Sequence, residues 1–135
     1  REKQVLDQAR KFISDYTSGS LSQPLKSTEE GIQYIIHEKG KGNLPKKGTP
    51  VFVNYMSLLM DGTAFDNTFQ YGESIAFTLG EGKMIRGFEE ILQQLPKGTT
   101  CTFVVPSVLA YGTTGKGDLV PPNSDLVFYV ELLNF

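Results

Sequence analysis

Residues that could do covalent or metal chemistry are scarce in this chain. It carries one cysteine, Cys101, and one histidine, His37. A Cys–His or Ser–His nucleophilic pair would have to use that single His37, and the two residues together are too few to hold zinc. Cys101 lies in an apolar run, residues 99–105, and reads as a small core residue. His37 follows a strand pattern beside Glu38 and Lys39, which predicts a solvated edge position. Gly80-Glu81-Gly82 lacks the third glycine and the Lys-Ser/Thr of a phosphate-binding loop, so it reads as a turn before a helix. Glu89-Glu90 falls on the polar side of that helix, and no second carboxylate pair points to glycosidase chemistry. The aromatic supply is less ordinary: Tyr55, Phe65, Phe77, Phe88, Tyr111 and Phe128 are spread over strands, helix and loop. A core would absorb most of them. Tyr111 is different, because it sits between Ala110 and Gly112 at the start of a Gly/Pro-rich loop, where a ring suits a pocket rim.

Positioning such a pocket needs a scaffold, and the chain divides into two stretches. Over residues 1–18, Val5, Ala9, Phe12, Ile13 and Tyr16 recur with helical spacing, and Thr17-Ser18-Gly19-Ser20 supplies the stop. Residues 1–22 are therefore an amphipathic helix with its linker, and 23–135 a second unit. The helix stripe must pack either on this chain's own body or on a second copy as a homodimer contact. From Ile32 onward short apolar runs alternate with turn signals. Strands are predicted at 32–36, 51–60, 74–79, 99–105 and 126–133, with Asp61-Gly62 marking a hairpin. Met84, Ile85, Phe88, Ile91, Leu92 and Leu95 keep helical spacing up to Leu95-Pro96-Lys97-Gly98. One amphipathic helix among antiparallel strands predicts an α+β domain.

At 135 residues, 39% hydrophobic and 21% charged, the chain has the composition of an ordinary globular domain. A formal net charge of −2 argues against a nucleic-acid partner, and Lys39, Lys41, Lys46 and Lys47 read as a solvated face. No window approaches the roughly 18 apolar residues of a membrane span. The sequence begins at Arg1 without an initiator methionine, and is expected to be a trimmed or processed product.

Residues 48–135 resemble the FKBP-type peptidyl-prolyl cis-trans isomerases, the macrolide-binding immunophilins. The motifs are Val53-Asn54-Tyr55, Asp61-Gly62-Thr63-Ala64-Phe65-Asp66, Phe77-Thr78-Leu79-Gly80, Ile85-Arg86-Gly87-Phe88-Glu89-Glu90, Ala110-Tyr111-Gly112, Pro121-Pro122-Asn123 and residues 126–132. The resemblance implies a twisted antiparallel sheet wrapped around one short helix, here preceded by the extra N-terminal helix. It places Tyr55, Phe65, Asp66, Ile85, Phe88, Tyr111 and Phe128 on the family's pocket, with Phe77, Met84, Leu119 and Val120 lining or flanking it. In that frame Phe88 stands for the tryptophan often found on the floor, and Ile75 for an aromatic wall residue. Tyr71 stands near an arginine position, so that it could partner Asp66.

The implied activity is isomerisation of Xaa-Pro bonds in polypeptides, with no cofactor or metal. Phe65, Phe88, Phe128 and Ile85 would hold the proline ring. Tyr111 and the Ile85 N–H would donate hydrogen bonds, and Tyr55 with Asp66 would set the local field. Tacrolimus and rapamycin are the implied small ligands. A binding or chaperone module with weak catalysis is the alternative, although residues 112–125 are too short for the chaperone insert that some relatives carry. The helical preface and lone buried cysteine resemble bacterial envelope isomerases, giving the periplasm as the expected location and the cytoplasm as the alternative.

Overall fold

The computed structural model describes the whole chain, Arg1–Phe135. The N-terminal stripe forms α1, Glu2–Ser18, which stops where Gly19 adopts φ 71°. The N–H groups of Gly19 and Ser20 then reach back to the carbonyls of Tyr16 and Asp15, satisfying acceptors that a helix end leaves free. Seven strands follow: β1 Lys26–Ser27, β2 Gln33–Glu38, β3 Pro50–Leu59, β4 Ala64–Asn67, β5 Ile75–Thr78, β6 Thr100–Val105 and β7 Leu126–Asn134. The second helix, α2, is Arg86–Leu92.

All pairings in the sheet are antiparallel, in the order β1-β2-β6-β7-β3-β4, with β5 beside β3. Strand β3 is the organising element. One edge pairs along its length with β7, while the other serves β5 from Pro50 to Val53 and β4 from Met56 to Leu58. Strand alternation then sorts the side chains into two cores. Val51, Val53 and Tyr55 of β3, Phe103 of β6, and Phe128 and Val130 of β7 face α2 in the larger cluster. Met56, Leu58, Val104, Val127 and Tyr129 face the opposite way and pack on Val5, Ala9, Phe12 and Ile13 of α1. The central strand β7 is covered on both sides, which explains the apolar run from Leu126 to Val130.

Helix α2 approaches the sheet closely at Gly87, where a Cβ would lie 2.4 Å from Val105 Cγ1. Glycine weakens a helix by about 0.5–1 kcal/mol relative to alanine, and here the contact requires it.

The structure departs from the sequence-based expectation at α2, at β1 and β4 and at His37, and it decides between the two alternatives left for α1. Helix α2 is shorter than the Met84–Leu95 pattern, because Ile85 is extended (ψ 154°) and the chain tightens after Leu92 into turns that bond Gln94 and Leu95 back to Ile91 and Leu92. Strands β1 and β4 were not expected, since β1 has only two residues and β4, Ala64-Phe65-Asp66-Asn67, has no apolar alternation. The α1 stripe packs on this chain's own sheet, leaving Val5, Ala9, Phe12 and Ile13 no more than 6% exposed. His37, expected as a solvated edge residue, is exposed but engaged at the junction with α1. Its Nε2 lies 2.7 Å from Thr102 Oγ1 and its ring centroid 6.0 Å from that of Tyr129. No helix is long and apolar enough to cross a membrane.

Candidate functional site

A cavity of about 440 Å³ opens where the sheet, α2 and two loops meet, a volume suited to a small ligand or a short peptide segment. The sheet supplies Tyr55 and Ser57 from β3, Phe128 from β7 and Asp66 from β4. The loop ahead of α2 supplies Gly82, Lys83, Met84 and Ile85, and the segment after β6 supplies Tyr111 and Lys116.

Each wall is held by identifiable bonds. Strand β4 reaches Asp66 through the Asp61-Gly62 hairpin, in which the Thr63 N–H donates to Asp61 Oδ1 at 2.9 Å. That bond holds the Asp61 carboxyl below its usual range. Pairing of Ser57 with Asp66 brings the carboxylate alongside β3, where the Tyr55 hydroxyl donates to Asp66 Oδ2 at 2.6 Å. Burial, reinforced by this bond to Asp66, pushes the Tyr55 phenol well above its ordinary value, so Tyr55 keeps its proton at neutral pH. Tyr71, 76% exposed, makes no such bond, so the phenol partner of Asp66 is Tyr55.

The loop carrying Met84 and Ile85 is clamped from behind by Glu89. This residue is only 6% exposed, and its two carboxylate oxygens accept the Gly80 N–H at 2.6 Å and the Met84 N–H at 3.0 Å. Glu89 therefore belongs to the cavity's foundation, where the sequence pattern placed it on a polar helix face. Its signal was present in Gly80-Glu81-Gly82: a turn with free amides ahead of a helix needs an acceptor. The Ile85 N–H beside the cavity donates to no group in the protein.

On the opposite side, Asp125 Oδ1 accepts the Ser107 N–H, and Gly115 and Asn123 bond to the carbonyls of Tyr111 and Gly112. These contacts fix the loop of residues 112–123 around Tyr111. Beneath the cavity lies an aromatic layer. The Phe88 ring stands edge-on to Tyr55 and Phe128 with centroids 5.4 and 5.2 Å away, and Phe128 stacks on Phe103 at 5.2 Å.

The twelve sequence candidates thus fall into groups. Tyr55, Asp66, Met84, Ile85, Tyr111 and Phe128 come together on the cavity wall. Phe88, expected on the floor, is fully buried one layer below, and Phe77 packs against it at 6.1 Å. Phe65 and Ile75 are partly buried at the edge of the same core. Val120, 1% exposed, anchors the 112–123 loop in the core rather than lining the cavity, while neighbouring Leu119 points outward at 50% exposure. Ser57, Lys83 and Lys116 were not singled out from the sequence. They bear no motif, and only the fold brings them to the wall.

Burial pushes the Cys101 thiol up to about 12, away from nucleophile chemistry. No grouping of His, Cys, Asp and Glu could hold a metal ion. The rings of Tyr55, Tyr111 and Phe128, the Ile85 N–H and the Tyr111 hydroxyl, with Asp66 as acceptor and Lys83 and Lys116 at the wall, are suited to binding an amide and altering its surroundings.

Residues 41–133 match the family model described as FKBP-type peptidyl-prolyl cis-trans isomerase. The chain is 37% identical over 105 residues to FK506-binding protein 1 of Dictyostelium discoideum, covering 78% of this chain and 98% of that protein. It is 39% identical over 133 residues to the FKBP-type peptidyl-prolyl cis-trans isomerase FkpA of Escherichia coli, covering 98% of this chain and 48% of that one. The crystal structure of FkpA from Escherichia coli superposes with a TM-score of 0.78 at 36% identity, over 98% of this chain and 61% of that structure. The chain spans about half the length of this bacterial relative.

Proposed function

The chain belongs to the FKBP-type peptidyl-prolyl cis-trans isomerase family, and from that premise we propose that its cavity binds Xaa-Pro segments of polypeptides and speeds rotation about the bond before proline. The observation that carries this reading is the pair of donors on the cavity wall, the Ile85 N–H without a partner in the fold and the Tyr111 hydroxyl, set over an aromatic layer.

The planar amide is stabilised by resonance, and rotation meets a barrier of about 18–20 kcal/mol. The twisted transition state loses that resonance and with it much of the carbonyl's charge separation. Removing water therefore weakens the planar ground state more than the twisted one. Tyr55, Phe128, Ile85 and Met84 supply the dry surface for the proline ring, with Phe88 keeping the rings above it in place. Tyr111 donates to the carbonyl preceding proline, and the Ile85 N–H to the carbonyl following it. Asp66, with the Tyr55 proton directed at it, sets the field at the far end. A thousandfold acceleration requires about 4 kcal/mol of differential binding, within reach of desolvation plus two hydrogen bonds.

Macrolides that present a proline-like ring beside a dicarbonyl, such as tacrolimus and rapamycin, fit the same wall and donors. The test is a protease-coupled assay on a Leu-Pro peptide with and without rapamycin. Acceleration that rapamycin abolishes supports the reading, and the absence of any acceleration at micromolar protein overturns it.

A binding role for extended chains is the second reading. Val108, Leu119 and Tyr71 are 80, 50 and 76% exposed on the turns next to Tyr111, Lys116 and Asp66. Suppressed aggregation of a proline-free unfolded protein, undiminished by rapamycin, would favour it. As to place, likeness along nearly the whole chain to bacterial FkpA proteins supports the periplasm; cell fractionation tests this. Residues 23–135 form the isomerase unit in this reading, with 1–22 as a packed preface that leaves α1 no free stripe for a homodimer.

A further inference from the structure

Charge at the cavity mouth is unequally neutralised. Arg86 at the start of α2 is paired with Glu30 at 2.7 Å and with Glu90 at 3.8 Å. Lys83 and Lys116 lie on the cavity wall on two different loops, and neither takes part in any of the five ion pairs in the molecule. The one carboxylate of the wall, Asp66, already accepts the Tyr55 hydroxyl.

Lys116 is also held in place. Its N–H donates to the Val120 carbonyl at 2.8 Å, its carbonyl accepts the N–H of Leu119 and of Val120, and Val120 is buried in the core. Its ammonium stands 5.3 Å from the centre of the Tyr111 ring and 3.5 Å from the Tyr111 hydroxyl. The aromatic face favours that position for a cation.

We propose that Lys116, assisted by Lys83, is a specificity-determining residue that favours Xaa-Pro substrates carrying a carboxylate on the residue before proline. The proposal rests on the isomerase reading of the cavity. In that reading the carbonyl that accepts the Tyr111 hydroxyl proton belongs to this preceding residue, and the Lys116 ammonium, 3.5 Å from the same hydroxyl, is within reach of that residue's side chain. Both lysines are exposed, and their charge is screened over about 10 Å at 0.1 M salt. The preference is therefore modest and salt-sensitive, of the size of exposed ion pairs.

The experiment compares kcat/KM for peptides with Leu, Gln, Glu or Lys before proline, at low and at high salt. Glu exceeds Gln about threefold at low salt, and the ratio approaches one at high salt. Lys116→Gln removes the difference, Lys116→Glu reverses it in favour of the Lys-Pro peptide, and Lys83→Gln reduces it. A Glu-to-Gln ratio of one in the wild-type protein, with Leu-Pro turned over, overturns the role of the lysines alone. Failure to turn over any peptide overturns the isomerase reading and this proposal with it.

Discussion

Tyr111 and Glu89 stand for two ways in which single residues serve the cavity. Tyr111 lines the cavity, and if its hydroxyl donates to substrate as proposed, Tyr111→Phe removes one hydrogen bond worth about 0.5–1.5 kcal/mol. Its kcat/KM should fall about two- to tenfold while the melting temperature stays close to wild type. Glu89 acts through other groups, because its two oxygens hold the amides of Gly80 and Met84. Glu89→Gln sets an NH2 against one of those N–H groups, leaving a buried donor without an acceptor at a cost of about 1–3 kcal/mol. Both stability and turnover should drop, which calorimetry and the peptide assay would register together. Turnover itself should be nearly flat between about pH 6 and 8, because the buried Tyr55 phenol and Cys101 thiol are both pushed upward, out of that window. A bell-shaped profile lost on His37→Ala would contradict this. At this scale the sequence was most legible in the motif residues Tyr55, Asp66, Ile85 and Tyr111. It was least legible for Lys83 and Lys116, whose place follows only from two loops meeting in space.

Helix α1 is the element whose fate periodicity left open. Its stripe required cover but did not name the cover, since the outer faces of β3 and β7 are interleaved with their inner faces in sequence. The structure closes the stripe onto Met56, Leu58, Val127 and Tyr129. Phe12→Ala should therefore cost about 3–5 kcal/mol, seen as a lower melting temperature without a change in oligomeric mass. At temperatures where the variant stays folded, Leu-Pro turnover should persist, because Phe12 and the cavity are on opposite faces of the sheet. An unchanged melting temperature would show that α1 contributes nothing to the fold. The helix α2 pattern misled at its ends for a related reason. Met84 and Ile85 are apolar because they face the cavity, although the helix begins only after them.

For the whole molecule, the two cores predict how stability varies with pH. His37 sits between α1 and the outer sheet face, with Gln8 and Thr102 at its ring nitrogens and Tyr129 against its ring. Although part of the residue stays in solvent, desolvation of the ring against Tyr129 and Thr102 lowers its pKa from 6.5, so the unfolded chain takes up a proton there more readily than the folded one. That contribution is complete above pH 6.5 and is lost as pH falls through the lowered folded value. Acidification from about pH 7 to 5 should lower the melting temperature, and His37→Gln should flatten that part of the curve. Glu38 neighbours His37 in sequence, while Glu131 and Arg1 meet Tyr129 in the same outer region, where Arg1 pairs with Glu131 and the Tyr129 hydroxyl donates to Glu131 Oε2 at 2.7 Å.

In the proposed mechanism a partly aromatic cavity that offers the Ile85 N–H and the Tyr111 hydroxyl to the peptide rotates Xaa-Pro bonds without a covalent or metal step. Exchange NMR on a Leu-Pro peptide with catalytic amounts of protein measures that rotation directly, without a coupling enzyme. Cis–trans exchange should be accelerated many-fold at both pH 6 and pH 8, reduced by Tyr111→Phe and abolished by rapamycin. Exchange at the uncatalysed rate with folded wild-type protein would contradict it.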